Sequence, residues 1–341
     1  MRVKKWGLIL CAAALIGGGA LLAVRSALEE GRVQDQPQVQ THPQVQTHPQ
    51  DQGQAQTHAQ PQVEPSQEEP SQEEPPQART RAQVAILMYH SFTENEEERS
   101  DLSVLAADFE AQLQALREAG YTSVTYQQLI DFVAGEGGLP DRPVVITIDD
   151  GYQDNLDLAA PLLEEQGFTA NIAVIGVSIG KDTYKDTGKP MTPHFSLEEA
   201  LPWVEKGVLT VTTHSYNMHK VASLDGEGCR QGVLQLEGES DKAYIRALTQ
   251  DYQTAVAQLE AVLGKICPVY TYPNGLYAPL SEQVLRQLGV KVTVTTQSGL
   301  NCLERGEAQS LYLLRRVNVS GCLTAEDLLD KLEQYAQQLE E

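Results

Sequence analysis

Short, strongly apolar runs alternate with helical stretches throughout residues 84–341, and this alternation constrains the fold more than any other feature. Six runs have the β-branched and aliphatic content of buried strands: VAILM (84–88), VVITI (144–148), ANIAVI (170–175), VLTVTT (208–213), VYTY (269–272) and VKVTVTT (290–296). Helices are predicted to begin near Asp108, Leu156, Ser196, Asp241, Pro279 and Thr324. Such strands, separated by helices, indicate an α/β protein with a parallel sheet covered by helices. Roughly six to eight such units favour an irregular (β/α) barrel over an open sheet, with its chemistry at the carboxyl ends of the strands.

Two segments of different composition precede this domain. Residues 1–32 contain 19 uncharged residues from Trp6 to Val24, flanked mainly on the N-terminal side by basic residues. This length and flank predict one transmembrane helix, a single-pass anchor that leaves the rest of the chain outside the cytoplasm. A cleaved signal peptide is the alternative. Residues 33–83 contain the short repeats PQVQTH and PSQEE and are rich in Gln and Pro, which indicates a disordered linker.

Charge and cysteine content exclude some classes of function. The formal net charge of −22 divides into +3 for residues 1–32, −5 for 33–83 and −20 for 84–341. Such an acidic domain repels nucleic acid and polyanions, whereas a neutral or cationic polymer is compatible with it. Residues 84–341 contain four cysteines: Cys229, Cys267, Cys302 and Cys322. They form no CxxC pair, so a cysteine zinc site is not expected, and their spacing leaves any disulfide pairing open.

The run VVITIDDGYQDN (144–155) leads an apolar strand directly into two carboxylates. Asp149 and Asp150 repel each other and are costly to bury together, so their position at a strand end calls for a chemical reason. One carboxylate could bind a cation while the other remains free as a base. A solvated loop before the next helix is the alternative explanation.

The run VLTVTTHSYNMHK (208–220) ends a second strand at two histidines. A tight turn could direct His214 and His219 toward one point, and imidazole is a common zinc ligand. Together with Asp150 they would form a site of two histidines and one carboxylate. Such a site suits Zn²⁺ and is also compatible with Fe²⁺, Co²⁺ or Ni²⁺. Two unrelated loop histidines would be the simpler explanation.

These motifs, TIDDG and HSYNMH followed by YPNG (272–275), resemble those of the polysaccharide deacetylase family, the NodB-homology enzymes of carbohydrate esterase family 4. The resemblance covers about Val84 to Leu314 and implies an irregular barrel of β/α units. It also implies that Asp149 is the catalytic base and that Asp150, His214 and His219 hold the metal.

Further details resemble the branch that acts on poly-N-acetylglucosamine. The histidines are five residues apart, and AILMYHSF (85–92) resembles the opening of that branch. By this resemblance His90 is the general acid, facing Asp149 across the metal; packing at a strand end is the alternative. The third motif has Asn274 where the family usually has tyrosine, and the backbone N–H of Asn274 is expected to contribute to the oxyanion hole. The arginine that usually accompanies this motif is not evident.

The expected function is removal of acetyl groups from N-acetylglucosamine units of an exopolysaccharide or a cell-wall glycan. Tyr216, Tyr272 and Pro273 adjoin the motifs and are predicted to contact this substrate. Peptidoglycan or chitin oligomers are alternative substrates. A catalytically inactive glycan-binding relative and a non-sugar amidase are alternatives of a different kind.

Overall fold

The computed structural model describes residues 79–340 except residues 186 and 221. The predicted membrane anchor and nearly all of the predicted linker lie outside these residues. Within the described residues, no helix has the length and apolar character needed to cross a membrane.

The described residues contain eleven strands, most of which belong to one sheet. The strands are β1 (Arg81–Tyr89), β2 (Ser91–Thr93), β3 (Ser103–Leu105), β4 (Tyr121–Ser123), β5 (Arg142–Asp150), β6 (Ala170–Val174), β7 (Leu209–Thr213), β8 (Val269–Thr271), β9 (Val292–Ser298), β10 (Asn301–Glu304) and β11 (Leu314–Asn318). The helices are α1 (Ala106–Glu118), α2 (Tyr126–Ala134), α3 (Ala160–Gln166), α4 (Leu197–Glu205), α5 (Ala222–Asp225), α6 (Asp241–Leu263), α7 (Pro279–Gln287) and α8 (Ala325–Glu340).

Seven parallel strands form a closed barrel. Their order is β1-β11-β9-β8-β7-β6-β5, and β5 pairs again with β1. Two shorter strands extend this arrangement: β4 lies parallel to the start of β5, and β10 lies antiparallel to the start of β1. The predicted α/β class and parallel sheet are therefore confirmed, and the strand pairings close the sheet into the expected barrel.

Alternation along the strands separates a helix-covered face from the barrel interior. On β5, Ile146 and Ile148 belong to a core cluster that includes apolar residues of α1, α3, α4 and α8. Val145 belongs to a different cluster. Asp149 is four residues after Val145 and shares its face of the strand, so its side chain turns away from the helix layer. The strand pattern thus directs one of the two motif carboxylates into the barrel.

All six predicted strands are present, and the predicted helices begin within a few residues of the expected positions. The capping box of Ser196 and Glu199 is formed at the start of α4. The helix expected near Leu156 starts as one π-helical turn, Asn155–Ala159, before α3. The sequence pattern did not predict β11, which carries an important site residue.

Residues before the predicted boundary at residue 84 already belong to the first strand of the domain. The strand β1 starts at Arg81, and the two preceding residues already contact the domain. Arg305 donates through its backbone N–H to the Thr80 carbonyl and through Nε to the Arg79 carbonyl, each at 2.9 Å. Arg79 forms an ion pair with Asp141 at 2.8 Å. Residues 79–83, which the sequence pattern assigned to the linker, therefore belong to the fold.

Candidate active site

The motif residues lie at one end of the barrel, where the parallel strands terminate. His90 directly follows β1, Asp149 and Asp150 end β5, and His214 directly follows β7. The pairing of β5 with β1 and of β6 with both β5 and β7 makes these strands near neighbours. The carboxyl ends of barrel strands are where β/α barrels place their chemistry.

The side chains of Asp150, His214 and His219 converge as the sequence predicted. Asp150 Oδ1 lies 3.6 Å from His214 Nε2 and 3.7 Å from His219 Nε2. The three potential ligand atoms all lie within 4.8 Å of one another. This spacing would let the three side chains hold one divalent ion, since carboxylate oxygen and imidazole nitrogen are both zinc ligands.

The surroundings of Asp150 leave one of its oxygens available to a cation. Tyr152 donates its phenol proton to Asp150 Oδ2 at 2.9 Å. Asp150 Oδ1 is buried, and no hydrogen-bond partner reaches it among the described residues. A buried carboxylate oxygen without a donor is costly unless a cation compensates it. This orphaned oxygen, facing two imidazole nitrogens, fits a divalent metal.

The turn after β5 requires an unusual backbone. Asp150 has φ of 75° and Gly151 has φ of 86°, both in the left-handed region. A Cβ atom at Gly151 would lie 2.8 Å from Val174 Cγ1, so glycine is needed for space as well as for φ. This turn redirects the Asp150 side chain toward the histidines.

His214 is oriented for coordination through Nε2. Its Nδ1 lies 2.9 Å from the Thr271 carbonyl, which fixes the ring and makes Nδ1 the protonated nitrogen. Burial lowers the pKa of His214 to about 4, although the nearby carboxylates Asp149 and Asp150 act in the opposite direction. The ring is therefore neutral near pH 7, as a metal ligand must be.

The turn that carries His219 is fixed by hydrogen bonds to Asp251 of α6. Its two carboxylate oxygens accept the backbone N–H groups of Tyr216 at 2.9 Å and Asn217 at 2.7 Å. Ser215 has φ of 70°, and its Oγ accepts the N–H of Met218 at 3.0 Å. The five-residue histidine spacing thus folds into a tight turn that brings the two rings to a centroid distance of 5.1 Å.

Asp149 is held by a different partner. Arg316 of β11 donates Nη1 to Oδ1 at 2.8 Å and Nη2 to Oδ2 at 2.7 Å, and its Nε donates to the Thr295 carbonyl at 2.8 Å. Burial alone would raise the pKa of Asp149, but the charge of Arg316, with smaller contributions from His214 and His90, holds it well below its usual range. Asp149 is thus kept ionised. Sequence reasoning did not single out Arg316, because it lies on a strand that the sequence pattern missed.

His90 lies beside Asp149, with 4.0 Å between Nε2 and Oδ2, and 16 % of its side chain is exposed. The two side chains are direct neighbours, and the expected placement of His90 across the metal from Asp149 stays a prediction. His194, the other histidine near the site, is buried beside Tyr152, with ring centroids 4.9 Å apart. Burial lowers its pKa.

The third motif lies on the same rim, at the end of β8. Asn274 sits in a short turn, Pro273–Gly275, with φ of 56°. Tyr272 is fully buried and donates its phenol proton to Glu282 at 2.8 Å. Its ring therefore has no surface for the predicted substrate contact and packs in the core instead. Pro273 is also buried, whereas Tyr216 is partly exposed.

A cavity of about 160 Å³ opens beside the metal-ligand cluster. Asp150 and His219 form one side, and the segment between β6 and α4 contributes Tyr184, Met191 and His194. Backbone hydrogen bonds from Gln153 N to Pro193 O and from Phe195 N to Gly151 O tie this segment to the turn after β5. Residues 191–195 therefore form a fixed wall of the cavity.

A closed β/α barrel with two adjacent carboxylates and a cluster of potential metal-binding side chains at its strand ends is typical of metal-dependent hydrolases. Residues 136–293 match the family model described as polysaccharide deacetylase. Over these residues the chain is similar to this family, whose members hydrolyse N-acetyl amide bonds of polysaccharides.

Two curated relatives and one solved structure are similar to this chain. The Bacillus subtilis (strain 168) protein YxkH, which carries a polysaccharide deacetylase name, is 26 % identical over 239 residues, covering 70 % of this chain and 72 % of that protein. The Escherichia coli (strain K12) poly-beta-1,6-N-acetyl-D-glucosamine N-deacetylase is 23 % identical over 227 residues, covering 63 % of this chain but only 34 % of that protein. The structure of IcaB from Ammonifex degensii superposes with a TM-score of 0.60 at 23 % identity, covering 74 % of this chain and 97 % of IcaB. The structural likeness shows the fold.

Proposed function

We propose that this chain is a metal-dependent de-N-acetylase that acts outside the cytoplasm on N-acetylglucosamine units of a polysaccharide. The observation that carries the proposal is the separation of two adjacent carboxylates. Asp150 presents an unpaired oxygen to His214 and His219, while Asp149 is held apart by Arg316. The name of the Escherichia coli relative supports a poly-N-acetylglucosamine substrate.

Asp150, His214 and His219 would hold the metal, and the donor set suits Zn²⁺ as well as Fe²⁺, Co²⁺ or Ni²⁺. When bound, such an ion supplies Lewis acidity toward the acetyl carbonyl and the attacking water. The protein residues then have distinct tasks. Asp149, ionised beside Arg316, accepts a proton from the water as its oxygen attacks the carbonyl carbon.

The remaining steps use the same rim of the barrel. The backbone N–H of Asn274 donates to the oxygen that gains charge during the attack. His90 donates a proton to the amide nitrogen as the C–N bond breaks, which gives acetate and a glucosamine unit. The product amine is cationic, and the acidic domain does not repel it.

The proposed location rests on the predicted anchor, residues 1–32, and on the predicted linker, of which residues 79–83 belong to the fold. Protease added to intact cells should cut within the linker and release an active fragment that keeps Arg79, which contacts Arg305 and Asp141. Activity found only in the cytoplasm would reject this location.

The test of the activity is acetate release from poly-N-acetylglucosamine, chitin oligomers and peptidoglycan, with metal analysis of the same sample. Release from poly-N-acetylglucosamine, lost on chelation and restored by Zn²⁺ or Co²⁺, is the expected result. Release only from peptidoglycan or chitin would keep the chemistry and change the substrate. Binding of these glycans without acetate release from any of them would identify an inactive glycan-binding protein.

A further inference from the structure

His90, the proposed proton donor, lies just after β1, and its ring is weakly held. Apart from the 4.0 Å approach to Asp149, no residue in the described ranges fixes the His90 ring by a hydrogen bond. A proton donor must be held close to the position of the departing nitrogen, and a displacement of about 1 Å can cost about 100-fold in rate. The ring position therefore depends on the backbone that carries it.

That backbone is fixed by two consecutive residues from the turn after β5. Asn155 donates Nδ2 to the His90 carbonyl at 2.8 Å. Asp154 Oδ2 accepts the hydroxyl proton of the adjacent Ser91 at 2.6 Å. The Nδ2 group of Asn155 also contacts Asp154 Oδ1 at 2.7 Å, so its two protons serve the His90 carbonyl and the neighbouring carboxylate.

The backbone at Asn155 has an unusual conformation. Asn155–Ala159 forms a π-helical turn before α3, although the sequence pattern predicts an ordinary helix there. A π turn widens the helix by one residue per turn and occurs frequently at functional sites. Here it starts at the residue whose side chain reaches across to β1.

The buried side chain of Asn155 uses its donor group and leaves its acceptor unpaired. Asn155 is 0 % exposed, and its Oδ1 has no donor among the residues that the structure describes. An apolar side chain of similar size would remove this unsatisfied acceptor, but it would leave the His90 carbonyl and Asp154 Oδ1 without their shared donor. What asparagine provides and an apolar residue lacks is the Nδ2 donor to His90.

We propose that Asn155 is a positioning residue for proton transfer by His90. It acts through the His90 backbone and does not touch the substrate. The inference rests on the proposed function, because it requires His90 to protonate the departing amine. It adds a residue that links the turn bearing both motif carboxylates to the strand end bearing the proton donor.

The test compares acetate release from an N-acetylglucosamine oligomer with hydrolysis of 4-nitrophenyl acetate, well below the unfolding temperature. The amide needs protonation of its leaving group, whereas nitrophenolate does not. Asn155→Ala should lose about 10–100-fold in kcat on the amide, with a much smaller loss on the ester and unchanged metal content. Asn155→Leu fills the same space without a donor and should show the same change in the amide-to-ester ratio, even if the alanine variant folds poorly.

Asn301→Ala is the matched control. Asn301 lies on the antiparallel strand β10 and is also buried. Its Nδ2 donates to the backbone carbonyl of Arg315 at 2.9 Å. This variant should lose stability and keep the amide-to-ester ratio. An equal loss on both substrates in both Asn155 variants would overturn the inference and assign Asn155 a structural role.

A His90→Asn variant separates the two proposals. If it loses amide turnover while the Asn155 variants keep the wild-type ratio, the positioning role fails and the proposed mechanism stands. If it keeps full amide turnover, His90 is not the donor and both fail. Combining His90→Asn with Asn155→Ala should change the ratio no further than His90→Asn alone, because the two residues act on one step.

Discussion

The buried pair of Arg316 and Asp149 gives a prediction whose size follows from its geometry. The Arg316 side chain is 0 % exposed and makes two charge-assisted hydrogen bonds to Asp149, at 2.8 and 2.7 Å. Arg316→Met would leave the carboxylate buried without its cation, which typically costs about 3–5 kcal/mol of unfolding free energy. For a domain of this size, that corresponds to a decrease in Tm of roughly 6–20 °C.

Urea denaturation in the presence of a chelator would measure this loss, with Arg315→Met as the control. Arg315 is the exposed neighbour on β11, and its replacement should change stability by less than about 0.5 kcal/mol. In an Asp149→Asn background the cost of Arg316→Met should be smaller by about 0.5–3 kcal/mol, because no buried charge remains unpaired.

The same pair predicts a pH dependence. The folded-state pKa of Asp149 is lowered, so its contribution to stability is present above the ordinary carboxyl pKa of about 4 and is lost as the pH falls below it. The difference between wild type and Arg316→Met should therefore narrow under acid conditions. A loss below about 1 kcal/mol at pH 7, or one that is unchanged by Asp149→Asn, would refute this account of the ion pair.

Three further predictions test neighbouring residues. Asp149→Asn should keep the metal, because Asp150 is the carboxylate that groups with His214 and His219. Its turnover should fall by about 10²–10⁴-fold. Loss of the metal in metal analysis would mean that the roles of Asp149 and Asp150 are exchanged. Tyr152→Phe removes the proton donated to Asp150 Oδ2 and should raise the Kd for Zn²⁺ by about 10–100-fold in calorimetry, whereas Tyr184→Phe in the same cavity should leave it unchanged. Burial raises the pKa of Asp154 to about 6, against hydrogen bonds from Ser91, Phe92 and Asn155 that lower it. The stability of wild type relative to Asp154→Asn should therefore decrease between pH 4 and pH 8, by up to about 3 kcal/mol, and parallel stability curves would contradict this pKa.

The strands and motifs that the sequence predicted are those with a local signature. Strand β5 is apolar on both faces because helices cover one face and the barrel interior contacts the other, which gives a near-continuous hydrophobic run. Asp149 and Asp150 follow that run directly, and His214 follows β7 in the same way. A strand end next to an unusual cluster of ionisable residues is visible without knowledge of the tertiary structure.

Strand β11 was missed because its burial depends on a distant partner. Its sequence LRRVN carries two adjacent arginines, which indicate an exposed segment. Arg315 is indeed exposed, but Arg316 is buried because Asp149, 167 residues away in sequence, compensates its charge. No local pattern distinguishes the two arginines. The predicted contact of Tyr272 with substrate failed for a related reason, because the partner of its phenol, Glu282, lies on α7 and turns the ring into the core.

The two adjacent carboxylates of the site acquire different roles from a single change in the backbone. Asp149 still follows the alternation of β5, so its side chain enters the barrel and meets Arg316. Asp150 adopts a left-handed conformation, which breaks the alternation and points its side chain toward the histidines. The repulsion between the two carboxylates is thereby offset by two positive charges, the Arg316 guanidinium at Asp149 and the proposed metal at Asp150. Gly151 permits this turn, since any Cβ at that position would collide with Val174. The sequence DDG thus sends one carboxylate into the barrel and the next toward the histidines, because the backbone changes from extended at Asp149 to left-handed at Asp150, the last residue of β5.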